Sequence, residues 1–389
     1  MKNTDPYHAL GVSSMKPDVH AALSELDPPL YPGAFCQVTA SGDEHLAVIH
    51  ADGAGTKSII AYLQYRETGD LQGFRSIATD SAVMNIDDMI CVGAVDDFLL
   101  SNTIGRDRQR INGDVLKAIL GGYRDFCRML TQAGCRVTMC GGETADVGDL
   151  VRTVIVDSTV YARFPRSHMI DCSRIRSGLA IVGFASAGRE SYEEAENSGV
   201  GSNGFTIARH TLLQPRYGRD FPETRSDLLS HDATYSGRFG LEDTLPGSTM
   251  SIGQALLSPT RSYAPIIKAV LAGHREAVHG VVHCTGGGMV KVLGFGSAIH
   301  YLKNNLFETP PIFRVIAQEG SIPQRDMWRI FNNGHRMEVY CEPDAAESII
   351  AEARKFGVDA RCIGRTEDSP DGVNRVTISA GQIAETYTI

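Results

Sequence analysis

Aromatic residues are scarce in this chain. They fill 7% of 389 positions and include one tryptophan, Trp328, too few rings for a platform that stacks single-stranded nucleic acid. No block of lysine and arginine offsets the net charge of −9, so general nucleic-acid binding and anionic-membrane binding are excluded. No stretch approaches the roughly 20 apolar residues needed to span a bilayer. The start, Met1-Lys2-Asn3-Thr4-Asp5-Pro6, has no apolar run of the kind a secretory leader carries. The nine cysteines include no CxxC pair, which speaks against a zinc site or a disulfide framework. These absences together lead us to expect a reduced, cytoplasmic protein whose cysteines are small core residues.

Glycine is what the chain has in plenty, with 40 residues, and such a share suggests loops where backbone approaches something closely. The length leaves room for two domains, each with its own core. Leu46–Ala51 reads as a buried strand entering Asp52-Gly53-Ala54-Gly55-Thr56-Lys57. Helices follow over about 58–66, closed by Gly69, and over 76–91 with Val83, Ile86 and Ile90 as the buried stripe. The clearest helix covers 114–132, where Val115, Ile119, Tyr123, Phe126 and Leu130 recur at helical spacing and Gly134 stands as a cap. Arg136–Cys140 predicts a strand emptying into a loop, Gly141-Gly142-Glu143-Thr144-Ala145-Asp146. Residues 151–164 are rich in β-branched side chains and predict one long strand or two short ones. The polar, basic stretch 171–177 marks a boundary between domains 1–175 and 176–389.

The second half opens with a strand at 179–184 and carries glycine loops at 199–204 and 286–288. Residues 214–251 read as a long polar excursion. A closing unit runs from a strand at 337–341 through a helix at 345–356, capped by Gly357, to strands near 360–364 and 373–379. Helices and strands mix without strict alternation, so the class expected is α+β rather than a doubly wound sheet.

Three acidic features stand at or near element ends in the first half: Asp52, the pair Asp87-Asp88, and Glu143. Carboxylate oxygens suit magnesium, which takes one or two of them and leaves room for nucleotide phosphates. Gly53 and Gly55 allow close backbone approach, Thr56 can donate to phosphate, and Lys57 adds a point charge. The order Gly55-Thr56-Lys57 is not that of a Walker A loop. Taken singly, the same features also read as a tight turn, a polar helix face and a hairpin turn with a solvated glutamate.

The ordered set of motifs is more specific. Asp52-Gly-Ala-Gly-Thr-Lys57 resembles the DGVGTK signature of the aminoimidazole ribonucleotide synthetase (phosphoribosylformylglycinamidine cyclo-ligase) family. The run 80–94 resembles that family's D-L-V-A-M-x-V-N-D-L element, with Asp80 and Asp88 at its aspartates and Asp87 where it has asparagine. Gly141–Ala145 is similar to GGETA, Ser202–Phe205 to SNGY, 257–261 to LAPTR, 283–288 to HxTGGG, and 327–337 to MxxTFNxGxGM.

This resemblance implies a two-domain synthetase-like fold, with N-terminal sheets pairing in a homodimer and a C-terminal α/β sandwich. It implies ATP and Mg2+ as cofactors, with Asp52, Asp88 and Glu143 on the metal. Gly53, Gly55, Thr56, Lys57, Asp80, Gly141, Gly142 and Thr144 complete the ATP set. Ser202, Asn203, Gly204, Thr285, Gly286 and Gly287 stand on the side of formylglycinamidine ribonucleotide. Lys57, Asp88 and His283 are the catalytic candidates, His283 for proton handling, though it also reads as a core or strand-end histidine. His20 and His300 carry no motif and read as surface or structural.

Several positions depart from the pattern. Gly201 stands where histidine precedes Ser-Asn-Gly, after an insertion-like 190–198. Leu10-Gly11-Val12-Ser13 lacks the aspartate of AGVD, and Met289-Val290-Lys291 replaces E-N-x-P-R. His335-Arg336 replaces small residues, and both are candidate phosphate contacts. Two other readings stay open: a related phosphoryl-transfer enzyme with a different acceptor, and a nucleotide binder without catalysis.

Overall fold

The computed structural model describes residues 10–12, 22, 28–230 and 233–388; Ser13 and His20 lie outside them. In the first half, β1 (Thr39–Ala40) and β2 (His45–Gly53) precede α1 (Lys57–Thr68) and α2 (Gln72–Ile90). Then come β3 (Phe98–Arg106), α3 (Gly113–Gln132), β4 (Val137–Asp146) and β5 (Val154–Pro165). The five strands form one sheet in the order β1-β2-β5-β3-β4, antiparallel except for β3 against β4.

Local chemistry accounts for these elements. Asn112 caps α3, its side chain accepting from the amides of Asp114 and Val115 at 3.1 Å each. The five apolar residues at helical spacing are buried along its inner face. α1 ends where Gly69 takes φ 76°, a left-handed cap. In β5 the even-numbered residues from Val154 to Phe164 are buried, whereas the odd-numbered ones from Ile155 to Arg163 are more open. The helices therefore cover one face of the sheet.

α2 departs from the amphipathic stripe expected of it. Beyond Val83, Ile86 and Ile90, its polar residues Asp80, Ser81, Asn85 and Asp87 are also fully buried. The helix lies against β2 and β5 on one side and against second-half elements on the other, so it has no solvated face.

The second half holds β6 (Ala180–Ala185), β7 (Val278–His283), β8 (Ile299–Lys303), β9 (His335–Cys341), β10 (Ala360–Asp368), β11 (Arg375–Ala380) and β12 (Ile383–Thr388). They form a second sheet in the order β12-β11-β8-β10-β6-β9-β7. Its helices are α4 (Phe205–Leu212), α5 (Arg216–Asp220), α6 (Ile252–Leu256), α7 (Ala264–His274), α8 (Pro311–Glu319), α9 (Gln324–Ile330) and α10 (Ala346–Lys355). The mixed α+β class agrees with the expectation.

The stretch 214–251 does not behave as a solvated excursion. Tyr217, Tyr235 and Leu241 are fully buried, and the Tyr235 hydroxyl accepts from Arg209 at 2.7 Å. Residues 141–146 correct a second expectation. Gly-Gly-Glu-Thr is part of β4, paired with β3 from Gly142 against Asn102 to Asp146 against Arg106. Among the described residues no helix is long and apolar enough to cross a membrane.

Candidate active site between the two sheets

Lys57 is the knot that ties the halves together. It is fully buried at the start of α1, and its Nζ donates to Asp80 Oδ1 at 2.8 Å, Gly201 O at 3.0 Å and Ser258 O at 2.6 Å. An ammonium group has three protons, and all three are used. Burial pulls its pKa below the usual lysine value, while Asp80 pulls it back up. The expectation that Lys57 presents a charge to phosphate is corrected by this geometry. Asp80 is corrected likewise: it is fully buried, and its Oδ1 also accepts from the Thr260 amide at 2.7 Å and the Thr260 hydroxyl at 2.5 Å.

Two more contacts extend the knot. The hydroxyls of Ser202 and Thr260 are 2.8 Å apart, and those of Thr56 and Thr206 are 3.1 Å apart. The loop 52–57 is thus fastened to the loops 201–206 and 258–261, which lie more than 140 residues away in sequence. Gly204 takes φ 78° at the start of α4, and a side chain there would run into Phe331. Gly287 and Gly288 also have positive φ, and a β-carbon on Gly288 would meet the carbonyls of Trp328 and Phe331. Asn203, Thr285 and Gly286 lie on the same loops, the Asn203 side chain reaching toward Gly286. The loops 201–206 and 285–288 are therefore shaped by the segment 328–334.

Asp88 and Asp52 stand on the helix-covered side of the first sheet. Asp88 Oδ1 accepts from His283 Nδ1 at 2.7 Å, and Oδ2 lies 3.4 Å from His50 Nε2. His50 Nδ1 is 2.9 Å from Asn85 Oδ1. His50 carried no motif in the sequence; its only signal was its place two residues before Asp52. His283 is fully buried and its Nε2 has no partner.

Glu143 does not join this pair within one chain. Gly53 pairs with Asp157, Asp157 with Thr103, and Thr103 with Glu143, which puts Glu143 three strand spacings, about 14 Å, from Gly53. Paired residues share a face, and Asp157 and Thr103 belong to the open one. Glu143 therefore points away from Asp52 and Asp88. The rest of the Gly141–Thr144 stretch is equally distant along the sheet. Gly142 is packed so closely that a β-carbon would meet the Asn102 side chain.

Two departures in sequence prove to be one feature in space. Asp87 accepts from the Ser262 hydroxyl at 2.7 Å and the Tyr263 amide at 3.1 Å, and Arg336 NH2 is 3.6 Å away. Burial raises the Asp87 pKa, and His283 and Arg336 lower it in part. An aspartate at 87 and an arginine at 336 belong together as a buried ion pair. His335 is also internal, 2.8 Å from Glu338 Oε1, so neither residue is available as a phosphate contact. Although burial opposes it, Lys303 and His335 bring Glu338 down to about 2. Cys284, His335 and Glu338 are close enough to hold a metal ion, but Lys303 Nζ already lies 2.5 Å from Glu338. Asp52, Asp88 and Glu143 form no such group among the described residues.

Arg261, which matches the arginine of LAPTR, is saturated too. It donates to the carbonyls of Ala185, Ala187 and Gly188 and to both Glu193 oxygens, and Glu190 Oε1 is 2.6 Å from its Nε. The insertion-like segment 190–198 is thus clamped onto the loop that holds Lys57.

Comparison with known proteins places this architecture. Residues 33–163 match the family described as AIR synthase related protein, N-terminal domain, and residues 176–376 match the corresponding C-terminal domain. The chain belongs to the AIR synthase family. A phosphoribosylformylglycinamidine cyclo-ligase of Sorangium cellulosum is 30% identical over 85% of this chain and 83% of its own length. Proteins of the same name from Symbiobacterium thermophilum and Methanocaldococcus jannaschii are 29% and 27% identical, over 92% and 84% of this chain and 86% and 80% of their own lengths. Among solved structures, T. maritima PurL complexed with ATP superposes with a TM-score of 0.55 at 14% identity, covering 98% of this chain. This chain spans about half the length of that one, 50%. A chain of the HypE-HypF complex gives 0.54 at 14% identity, covering 96% and 99%. At such identities the likeness is one of fold alone.

Proposed function

We propose that this chain is an ATP-dependent cyclo-ligase that converts formylglycinamidine ribonucleotide to aminoimidazole ribonucleotide, ADP and phosphate in de novo purine biosynthesis. The observation that carries this reading is the joining of loop 52–57 to loops 201–206 and 258–261 through Lys57, Asp80 and Thr260. That junction sets the loop 52–57, which we read as phosphate-binding, beside glycine-rich loops, in a chain whose curated relatives bear this name.

α1 begins without a side-chain cap, and its Ser58 and Ile59 amides bond back to Gly55 O at 3.3 Å and Thr56 O at 3.1 Å. Phosphate oxygens are read as held by the turn 55–57, where Gly55 has φ 55°, with Lys57 fixing the loop from behind. We read Asp88 and Asp52 as the carboxylates for a hard divalent ion, which takes one or two and leaves its other positions to phosphate and water. The bound ion supplies charge neutralisation during phosphoryl transfer. The formyl oxygen takes the γ-phosphoryl group from ATP, the amidine nitrogen attacks the activated carbon, and phosphate departs as the ring closes. His283 acts through Asp88, which it orients from Oδ1; its own ring is enclosed.

Ile49, Leu99 and Ile155 are exposed on the open face of the first sheet, at 68%, 43% and 41%. We read that face as meeting its copy in a homodimer, which would put Glu143 at the interface. A second reading, phosphoryl transfer to a different acceptor, is favoured by the burial of Arg261 and Arg336, which leaves neither guanidinium facing a substrate phosphate. Incubation with formylglycinamidine ribonucleotide, ATP and Mg2+ decides between them. Aminoimidazole ribonucleotide, detected by its diazo colour, is the expected result. No product from protein that binds ATP would favour the second reading.

A further inference from the structure

His50 stands beside Asp88 in an arrangement that a surface ion pair does not require. Asn85 Nδ2 lies 3.2 Å from Asp52 O, 2.9 Å from Ser81 O and 3.1 Å from Ser158 O. Three carbonyls around one nitrogen settle which end of the amide carries hydrogen, so Asn85 Oδ1 faces His50 and must accept from it. The proton of a neutral His50 is thereby fixed on Nδ1. Its Nε2 is left with a lone pair, 3.4 Å from Asp88 Oδ2. Two ligand atoms at about 2.1 Å from one ion and roughly at right angles to each other are about 3 Å apart, close to this separation.

Both groups are also oriented from behind. Asn85 holds the far nitrogen of His50, and His283 Nδ1 holds the far oxygen of Asp88 at 2.7 Å. A histidine that donates its other ring N–H to an oxygen, and a carboxylate that is itself hydrogen-bonded, are the marks of prepared metal ligands. The His283 ring that performs this service is fully buried with Nε2 unpartnered, so its position is imposed rather than chosen by solvent.

We propose that His50 Nε2 is a ligand to the nucleotide-bound divalent ion, together with Asp88 Oδ2, and that this nitrogen biases the site toward Mn2+ over Mg2+. Mg2+ favours an all-oxygen shell, whereas imidazole suits transition ions. The inference rests on the reading of Asp88 as a metal carboxylate in the proposed function.

The test is pulsed electron paramagnetic resonance on the full chain labelled with 15N-histidine, with Mn2+ and ADP as the probe. A 15N coupling from a directly bound histidine is expected, because nucleotide nitrogens are 14N and do not contribute to it. The coupling should vanish in His50→Gln and His50→Phe and persist in His283→Gln. Mn2+ affinity in the presence of ADP should fall by about ten-fold or more in the His50 variants, while Mg2+ affinity changes less. Mn2+ bound with ADP but without 15N coupling, or a coupling lost only in His283→Gln, would overturn the role of His50 and leave the metal site standing. Failure of Mn2+ to bind with ADP at all would overturn both. Absence of the coupling from the wild-type spectrum overturns the role of His50 even if a variant folds poorly.

Discussion

Asp88 illustrates how much of one residue's role is set by its immediate partners. Its side chain is 14% exposed and lies between His283 and His50, so it combines a fixed orientation with access for a ligand. Asp88→Asn should lower ATP turnover by about a hundred-fold or more, since the charge proposed to serve phosphoryl transfer is lost. It should lower the melting temperature by only a few degrees, because the amide keeps the shape and part of the hydrogen bonding. Parallel turnover and thermal-melt measurements check this, and equal losses in both would make the carboxylate structural. Lys57 shows the opposite case. Its motif was legible, yet nothing in Gly-Thr-Lys tells a lysine that reaches phosphate from one whose three protons are spent on Asp80, Gly201 and Ser258.

Two elements carry predictions of their own. The turn 201–204 is held against the segment 328–334, and the β-carbon of an alanine at Gly204 would lie 2.1 Å from the Phe331 ring at φ 78°. Gly204→Ala should destabilise the fold by about 2 kcal/mol or more in urea unfolding, from strain and overlap together. Phe331→Leu in the same chain should recover the part due to overlap. In the clamp at 190–198, burial raises Glu190 to about 8 from an ordinary 4.5, against the pull of Arg261. Between those values the folded chain binds this proton more tightly than the unfolded chain does. Stability from this group is therefore full below about pH 4.5, falls as pH rises, and is lost above about 8. Glu190→Gln does not titrate, so its stability relative to the native chain should climb across that window, by at most about 1.4 kcal/mol per pH unit. Melting curves at pH 5 and pH 8.5 measure the difference, and a constant offset would contradict it. Periodicity made α3 readable, whereas β3 was missed because neither its alternation nor its turns stand out.

At the scale of the whole molecule the open sheet face decides whether Glu143 matters. If Glu143 at that interface serves the partner's site, subunits carrying Asp88→Asn and subunits carrying Glu143→Gln should each be nearly inactive alone. Mixed during co-expression, they should regain about a quarter of native activity, because half of the dimers then contain one intact site. No recovery in demonstrated mixed dimers would separate Glu143 from the site. The same scale explains the paired departures at 87 and 336. They are separated by 249 positions and look unrelated until α2 and β9 pack together, with Arg336 NH2 3.6 Å from Asp87.

The chain by itself determined its family, the order of its motifs and its α+β class. Those follow from residue types at fixed local spacing, which no packing alters. Only the tertiary structure decided that Lys57 and Asp80 face inward, that His50 stands at Asp88, and that Glu143 lies three strands away on the other face. Strand order and side-chain alternation arise from pairings between distant segments, and a shift of one residue in register would reverse every face. Local spacing holds no record of that choice.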